Sequence, residues 1–332
     1  MSDAGGAARR PNKVRVLLEL VKFEHSIFAL PYAYIGAIYG AVVASWMLGR
    51  MGPIPGAPPT SSVGAFLPGT SAWVAAGSWP TWAALLWITV AMVAARAVAF
   101  VVNRAVDKEI DARNPRTAGR AIPAGHIKAW ELWAFAAFML AAYLQAVWQL
   151  APVTRWLWPI PLAMFLVYPY LKRFTPLAHF WLGACLGLGA VGGWIGVGAS
   201  PTDLAPWLLG AAVAIWTAGF DIIYATQDFD CDVRDGIHSV PADFGIARGL
   251  LVTKVTHAAA VVLFALGGYF AGAGWAYYAG VVVAGILLAY ENAIISPKDL
   301  SRVNAAFFTV NGMVAVVILA GAIADRLIGG AL

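Results

Sequence analysis

Long apolar runs alternate with short polar segments along most of this chain. Runs of about 17 to 25 residues match the length that an α-helix needs to cross the hydrocarbon core of a membrane. Nine such runs are present, of which the fourth is short and contains proline. The pattern predicts an all-α, polytopic membrane bundle of nine transmembrane helices, at 25–48, 81–103, 129–150, 156–172, 178–199, 204–227, 250–272, 274–295 and 304–327.

Composition agrees with this pattern. Of the 332 residues, 61% are hydrophobic and 12% are charged, whereas about a quarter of the residues in a soluble domain are charged. We therefore expect the lipid bilayer as a partner and no nucleic acid. The two cysteines, Cys185 and Cys231, provide neither a disulfide framework nor a metal-ligand spacing.

The polar pattern also divides the chain. Residues 1–14 form a polar tail, and 15–332 form a single transmembrane domain. The first apolar run follows a basic start, but many more runs come after it and no small-residue cleavage pattern is present, so we expect a retained span rather than a signal peptide. The stretch of about 49–80 is rich in Pro, Gly and Ser and carries one charge. It is predicted to be a flexible external insertion.

Basic residues define the orientation of the bundle. Eighteen of the 22 Lys and Arg fall in the N-terminal segment and in alternate loops, three fall on the other side, and Arg96 lies within a span. Cytoplasmic loops carry an excess of Lys and Arg. The distribution therefore predicts a cytoplasmic N-terminus.

Acidic residues gather on the same side, most of them in two clusters that follow spans two and six. Within each cluster, polar side chains recur at about four-residue spacing, which puts them on one helix face. Such hard oxygen ligands suit Mg²⁺, which is usually shared with substrate phosphates. The aligned residues are Asn103, Asp107 and Asp111 in the first cluster, and Asp221, Tyr224, Asp228 and Asp232 in the second.

Three interpretations of these clusters are open. Each cluster alone is typical of a solvated cytoplasmic loop, and ionisable residues in membrane proteins also mark transporter pathways. Transporter sites, however, lie near the midplane of the bilayer. Two matched clusters at the cytoplasmic rim favour chemistry on a substrate with a water-side head and a lipid-side tail.

Five segments resemble one protein family. "NRAVDKEID" and "DIIYATQDFDCD" resemble the two aspartate-rich motifs of the UbiA superfamily of intramembrane prenyltransferases, and "YPYLK" is similar to a third element. "KFEHSIFALPYA" and "SPKDLSRVNAAFFTVNG" extend the likeness over about residues 12–312. "NPRTAGRAIPAG" resembles the 4-hydroxybenzoate polyprenyltransferase-like branch, which includes menaquinone relatives of the futalosine pathway.

The resemblance implies an enzyme. It would be a Mg²⁺-dependent transferase that moves a polyprenyl group from polyprenyl diphosphate to an aromatic carboxylic acid and releases pyrophosphate. The acceptor would be of the 4-hydroxybenzoate or dihydroxynaphthoate type, in ubiquinone or menaquinone biosynthesis. Other relatives use haem, chlorophyllide or glycerol ether lipid. The expected location is the bacterial cell membrane, with cytoplasmic cap loops that carry the two motifs and an active site that faces the cytoplasm.

The resemblance also suggests roles for residues. Lys172 and Arg104 would contact diphosphate oxygens, and the acceptor would meet the reacting carbon deeper in the bundle. Arg96, two turns below Asn103, would bind the carboxylate or phenolate of the acceptor or form a structural pair within the bundle. The residues expected to hold Mg²⁺ are Asn103, Asp107, Asp111, Asp228 and Asp232. Further catalytic or substrate-binding candidates are Asp221, Tyr224, Tyr168, Lys22, His25 and Gln227.

Overall fold

A computed structural model describes residues 28–51, 73–75, 78–124 and 127–329. Most of these residues are helical. The long helices are α1 (Leu30–Met51), α2 (Trp82–Val106), α4 (Ala129–Gln149), α6 (Pro159–Leu171), α7 (Ala178–Gly196), α8 (Leu204–Ala225), α11 (Ile246–Phe270), α12 (Trp275–Ala293) and α13 (Asn311–Ile328). The short ones are α3 (Lys108–Arg113), α5 (Thr154–Leu157), α9 (Phe229–Asp235) and α10 (Val240–Phe244), with a 3-10 turn at Thr226–Asp228 and a π-helical turn at Ala305–Val310.

Within the described residues, seven helical segments are long and apolar enough to cross a membrane. They coincide with seven of the nine predicted spans. The predicted span 25–48 corresponds to α1, whose apolar part covers Leu30–Trp46. The predicted span 156–172 is divided between α5 and the 13-residue α6, which starts at a proline and contains Pro169. Proline limits the length of this helix because it lacks a backbone donor. The total of nine spans stays a prediction.

The predicted insertion at about 49–80 lies between α1 and α2. Helix α1 continues to Met51, and two strands of two residues each, β1 (Val74–Ala75) and β2 (Trp79–Pro80), pair antiparallel just before α2. Residues 52–72 of the insertion lie outside the described residues. So does the predicted polar tail at 1–14.

Helix α8 lies at the centre of the bundle, packed against α7 on one side and α11 on the other. Glycines allow its close approach to α7, since a Cβ atom on Gly183 would lie 1.9 Å from the carbonyl oxygen of Ala214. Gly193 brings α7 equally close to Ala33 of α1. Small residues at helix crossings are typical of membrane bundles. The outer surface is apolar, as lipid requires, with Trp82 and Trp156 more than four-fifths exposed.

Candidate active site

A cavity of about 420 Å³ lies among α2, α6, α7 and α8. Its charged end is formed where α2 and α8 finish, and its apolar end reaches Ile88 and Leu150. Ile88 precedes Asp107 by 19 residues, which corresponds to about 28 Å of helical rise. The cavity therefore extends over most of the thickness of a hydrocarbon core. Eleven of the 14 candidate residues line it: Arg96, Asn103, Arg104, Asp107, Asp111, Tyr168, Lys172, Asp221, Tyr224, Asp228 and Asp232.

The first aspartate-rich motif spans the junction of α2 and α3. Asp107 sits at the junction, with φ −91° and ψ 5°, but the helical bonding continues through it. Its N–H donates to the carbonyl of Asn103 at 2.9 Å, and the N–H of Asp111 donates to the carbonyl of Asp107 at 2.7 Å. The four-residue rhythm is thereby kept, so Asp107 and Asp111 both line the cavity and are buried. Glu109, between them, is exposed.

The second motif begins on α8 and ends on α9, with the 3-10 turn between them. Asp228 and Asp232 line the cavity, whereas Asp230 is exposed. Gln227 does not line the cavity. Its exposed side chain donates a hydrogen bond of 3.3 Å to Asn304, because the 3-10 turn directs it away from the site.

Cations hold the acids of the first motif. Lys172 Nζ contacts the carboxylate of Asp107 directly. The carboxylate of Asp111 lies 2.7 Å from Arg120 and 3.5 Å from Arg104. Burial raises the pKa of Asp107 above its ordinary value, and the charge of Lys172 opposes this rise. The polar end of the cavity therefore holds cations and carboxylates side by side.

Arg116 links the two motifs. Its Nε donates to Asp228 Oδ1 at 2.8 Å, its second terminal nitrogen binds Asp228 Oδ2, and its first donates to the hydroxyl of Tyr224 at 3.0 Å. Asn114 donates to the same carboxylate at 2.8 Å. Burial acts to lower the pKa of Arg116, but its hydrogen bonds and ion pair with Asp228 outweigh this and raise it. Sequence reasoning gave Arg116 and Asn114 no role. The only signal was their place in "NPRTAGR" directly after the first motif.

His179 was also missed. This residue on α7 is buried and lines the cavity, with its Nδ1 2.7 Å from Asp221 Oδ2. Its Nε2 accepts a hydrogen bond of 3.2 Å from the backbone N–H of Val240. Because Nε2 accepts, the proton of a neutral ring must lie on Nδ1 and be donated to Asp221. His179 therefore fixes the orientation of the Asp221 carboxylate.

Two buried oxygens of the first motif fit a metal. Within the described part of the chain, Asn103 Oδ1 and Asp107 Oδ1 have no hydrogen-bond partner, although buried oxygens are normally satisfied. Both residues line the cavity. No group of three acidic, His or Cys side chains among the described residues is gathered tightly enough to hold an ion by itself. This fits Mg²⁺, which takes one or two carboxylates together with substrate phosphate and water.

Of the candidates expected deeper in the bundle, two line the cavity and two lie outside the described residues. Arg96 lines the cavity, with its guanidinium carbon 5.1 Å from the centre of the Phe100 ring. Tyr168 lines the wall formed by α6. Lys22 and His25 lie outside the described residues.

Comparison with known proteins agrees with this geometry. Residues 62–313 match the model of the UbiA prenyltransferase family. A 4-hydroxybenzoate octaprenyltransferase from Citrobacter koseri is 32% identical over 252 residues, which cover 73% of this chain and 86% of the relative. One from Cupriavidus necator is 31% identical over 253 residues, which cover 76% and 88%.

Solved structures of UbiA homologues have a fold similar to that of this chain. The apo structure of a UbiA homologue from Aeropyrum pernix K1 has a TM-score of 0.72 at 32% identity, covering 92% of this chain and 98% of that one. A homologue from Archaeoglobus fulgidus, bound to GPP and Mg²⁺, shares the fold with a TM-score of 0.63 at 18% identity, covering 94% and 99%.

These matches, together with the two motifs that meet in one cavity, show that the chain belongs to the UbiA prenyltransferase family, in its 4-hydroxybenzoate polyprenyltransferase-like branch. It is an integral membrane enzyme that carries out prenyl transfer of the UbiA type. The transporter interpretation is thereby set aside.

Proposed function

We propose that this enzyme transfers a polyprenyl group from polyprenyl diphosphate to an aromatic carboxylic acid, of the 4-hydroxybenzoate or dihydroxynaphthoate type, in respiratory quinone biosynthesis. The relatives named above support the aromatic acid, since they are called 4-hydroxybenzoate octaprenyltransferases. The observation that carries the proposal is the shape of the cavity. Its charged end suits a diphosphate, and its long apolar end suits a prenyl chain.

The cations of the site would bind the diphosphate. Arg116, Lys172 and Arg120 each contact an aspartate that lines the cavity. We expect the diphosphate oxygens to take over part of these contacts when the substrate enters. Arginine suits this role because its planar fork binds phosphate through two nitrogens.

Mg²⁺ would bind beside the diphosphate. The residues that would hold it, directly or through water, are Asn103, Asp107, Asp111, Asp228 and Asp232. The chemistry that the ion supplies when bound is neutralisation of the charge that develops on the leaving pyrophosphate.

Prenyl transfer then requires a dry, aromatic environment. The allylic C–O bond breaks with its electron pair going to pyrophosphate, and the positive charge left on the allylic carbon is stabilised by aromatic faces. Tyr224 and Phe307 line the cavity next to Asp228, with their rings stacked at a centroid distance of 4.1 Å. A ring carbon of the acceptor attacks the allylic carbon and forms the new C–C bond.

The acceptor would occupy the level of Asp221, with its carboxylate directed to Arg96. Asp221 would take the proton that the acceptor loses, since it carries a carboxylate oriented by His179. An intramembrane arginine is costly to bury and is typically functional. Because Arg96 lines the cavity, its guanidinium would be accessible to the carboxylate of the acceptor.

The orientation proposed from the loop charges puts this site at the cytoplasmic side of the bacterial cell membrane, with nine spans and a cytoplasmic N-terminus. Both substrates could then enter without crossing the membrane, the diphosphate from the lipid and the acid from water.

Turnover of the purified protein tests this proposal. Protein in detergent is supplied with Mg²⁺, a set of prenyl diphosphates and, in turn, 4-hydroxybenzoate and a dihydroxynaphthoate, and the lipid products are analysed by mass spectrometry. We expect prenylated product with at least one of the two acids. Product with haem, chlorophyllide or a glycerol ether lipid, and with neither acid, would contradict it.

A further inference from the structure

A buried amide that does not line the cavity joins three elements of the bundle. Asn311, the first residue of α13, is completely buried. Its Oδ1 accepts a hydrogen bond of 2.7 Å from Trp216 Nε1 on α8. Its Nδ2 donates to Glu291 Oε1 on α12 at 2.7 Å and to the carbonyl of Ala306 at 3.0 Å. Three of the four hydrogen bonds that an amide side chain can make are therefore directed at specific partners.

The carbonyl of Ala306 belongs to the π-helical turn at Ala305–Val310. It accepts a second bond from the backbone N–H of Asn311. A π-turn contains one more residue than an α-turn and is rare outside functional sites. Both the backbone and the side chain of Asn311 thus hold this turn closed.

The turn determines where Phe307 lies. The ring of Phe307 stacks on Tyr224 at 4.1 Å and meets Phe220 and Phe28 edge-on at 5.3 and 5.5 Å. It lines the cavity. A change of register by one residue in this turn would move Phe307 by about 100° around the helix, away from Tyr224.

The burial of the Glu291 carboxyl group is energetically costly. It is completely buried in α12, and carboxyl groups at such positions are expensive in a membrane and typically functional. Its Oε1 accepts from Asn311, and its Oε2 lies 3.9 Å from His257 Nδ1. Neither Glu291 nor Asn311 lines the substrate cavity, so they act on it only through the residues they hold.

We propose that Asn311 and Glu291 are positioning residues for prenyl transfer. They lock the π-turn, the turn presents Phe307, and Phe307 closes the aromatic wall against Tyr224 beside the reacting carbon. The wall excludes water from the allylic carbon. This inference rests on the proposed function. It assigns control over which product the reaction forms to a network outside the substrate cavity.

The chemical consequence is a choice between two products. In the intact site the allylic carbon bonds to the acceptor ring. If the wall opens, a water oxygen bonds to that carbon instead and releases one proton to solvent, so the products are prenyl alcohol and pyrophosphate. Loosening the turn therefore raises the fraction of prenyl alcohol and lowers kcat for acceptor prenylation, without a matching change in the KM for prenyl diphosphate.

Asn311→Asp is the principal variant, because it keeps size and the acceptor for Trp216 but replaces both donated bonds with a carboxylate facing Glu291. We expect kcat for prenylation to fall about 10- to 100-fold, as for other misplaced site groups, with a rising share of prenyl alcohol. Glu291→Gln alone keeps an acceptor for Asn311 and should lower kcat less than Asn311→Asp does. Added to Asn311→Asp, Glu291→Gln supplies an amide donor and restores the total charge. The double variant should therefore recover part of the lost kcat for prenylation.

Phe307→Leu tests whether the network acts through the ring. It should itself raise the prenyl alcohol fraction, and adding Asn311→Asp to it should change that fraction little, since residues of one network are not additive. Tyr39→Phe is the matched control. It removes a buried bond of 3.0 Å to Asp325 outside the cavity and should leave the product ratio unchanged.

Hydrogen exchange at the amides of residues 305–311 gives a readout that needs no turnover. Asn311→Asp should accelerate exchange there, and Tyr39→Phe should not. Unchanged exchange and an unchanged product ratio in folded Asn311→Asp protein would overturn the inference, as would strictly additive effects with Phe307→Leu. If the wild-type protein prenylates no aromatic acid, the proposed function fails, and the exchange experiment still decides whether the network holds the turn.

Discussion

Arg116 and Asp228 lie 112 residues apart in the chain, and their side chains meet through two nitrogen–oxygen contacts at the entrance to the cavity. The loop that follows the first aspartate-rich motif is thereby tied to the second motif. Tyr224 shares the same guanidinium, so one arginine connects the charged end of the site to its aromatic wall.

Arg116→Lys should weaken this connection although it keeps the charge. Lysine is a point charge and does not reproduce the two-nitrogen geometry. We expect kcat/KM for prenyl diphosphate to fall about 10- to 100-fold, the size of effect typical of a misplaced site group, measured as pyrophosphate release over a range of diphosphate concentrations. Arg113→Lys is the control, because Arg113 lies three residues earlier in the chain and is exposed. Equal effects of the two variants would mean that only the charge of the loop matters.

The alternation of acids in the first motif gives a second prediction. Asp107 is buried and lines the cavity, whereas Glu109 is exposed. Asp107→Asn should lower kcat about 100- to 1,000-fold at saturating Mg²⁺, as expected for loss of a group that stabilises developing charge. Glu109→Gln should retain most of the activity. Folded Glu109→Gln protein that is as inactive as Asp107→Asn would show that charge density, rather than the aligned face, sets activity.

His179 provides a third prediction. His179→Ala leaves the Asp221 carboxylate and the Val240 N–H without their partner. We expect kcat to fall about 10- to 100-fold while the KM for prenyl diphosphate changes little, because the proposed diphosphate site is formed by other residues. His179→Asn can still donate to Asp221, since its amide nitrogen can take about the position of Nδ1, and should restore part of the rate. If the His179→Asn protein is no more active than the His179→Ala protein, His179 contributes through packing alone.

The proposed orientation can be tested by cysteine labelling in intact cells. After Cys185 and Cys231 are replaced by serine, single cysteines are introduced as Ser62→Cys and Gly119→Cys. Ser62 lies outside the described residues, and Gly119 is exposed with no atom within 4 Å of an added Cβ. A membrane-impermeant maleimide should label the first site from outside and spare the second. Labelling at Gly119→Cys but not at Ser62→Cys would reverse the orientation.

Much of this structure could be predicted from sequence because the bilayer imposes a length on each helix. Seven helical segments follow the apolar runs closely. The fourth predicted span falls on α5 and α6, which together cover 154–171 with a break at Trp158, directly before Pro159. The aligned acids could also be predicted, because four-residue spacing fixes one face of a helix even across the junction at Asp107.

Contacts between distant segments could not be predicted in this way. Arg116 and His179 take their importance from partners 112 and 42 residues away, and helical periodicity carries no information about such pairs. Gln227 illustrates the reverse case. It stands in the second motif, but the 3-10 turn that starts at Thr226 directs it to the surface. The π-turn held by Asn311 could not be predicted either, because the apolar run that contains it has the pattern of an ordinary α-helix.

Under the proposed function, both aspartate-rich motifs hold Mg²⁺ and diphosphate during transfer to an aromatic acid. Pyrophosphate release by the purified enzyme, followed with Mg²⁺, prenyl diphosphate and acceptor each omitted in turn, measures this most directly. We expect pyrophosphate release, coupled to formation of prenylated acid, only when all three are present, and loss of release with EDTA. In Asp228→Asn we expect a reduction of at least about 100-fold, the size expected for loss of a charge-stabilising group. Undiminished formation of prenylated acid in EDTA, or by the Asp228→Asn protein, would contradict it.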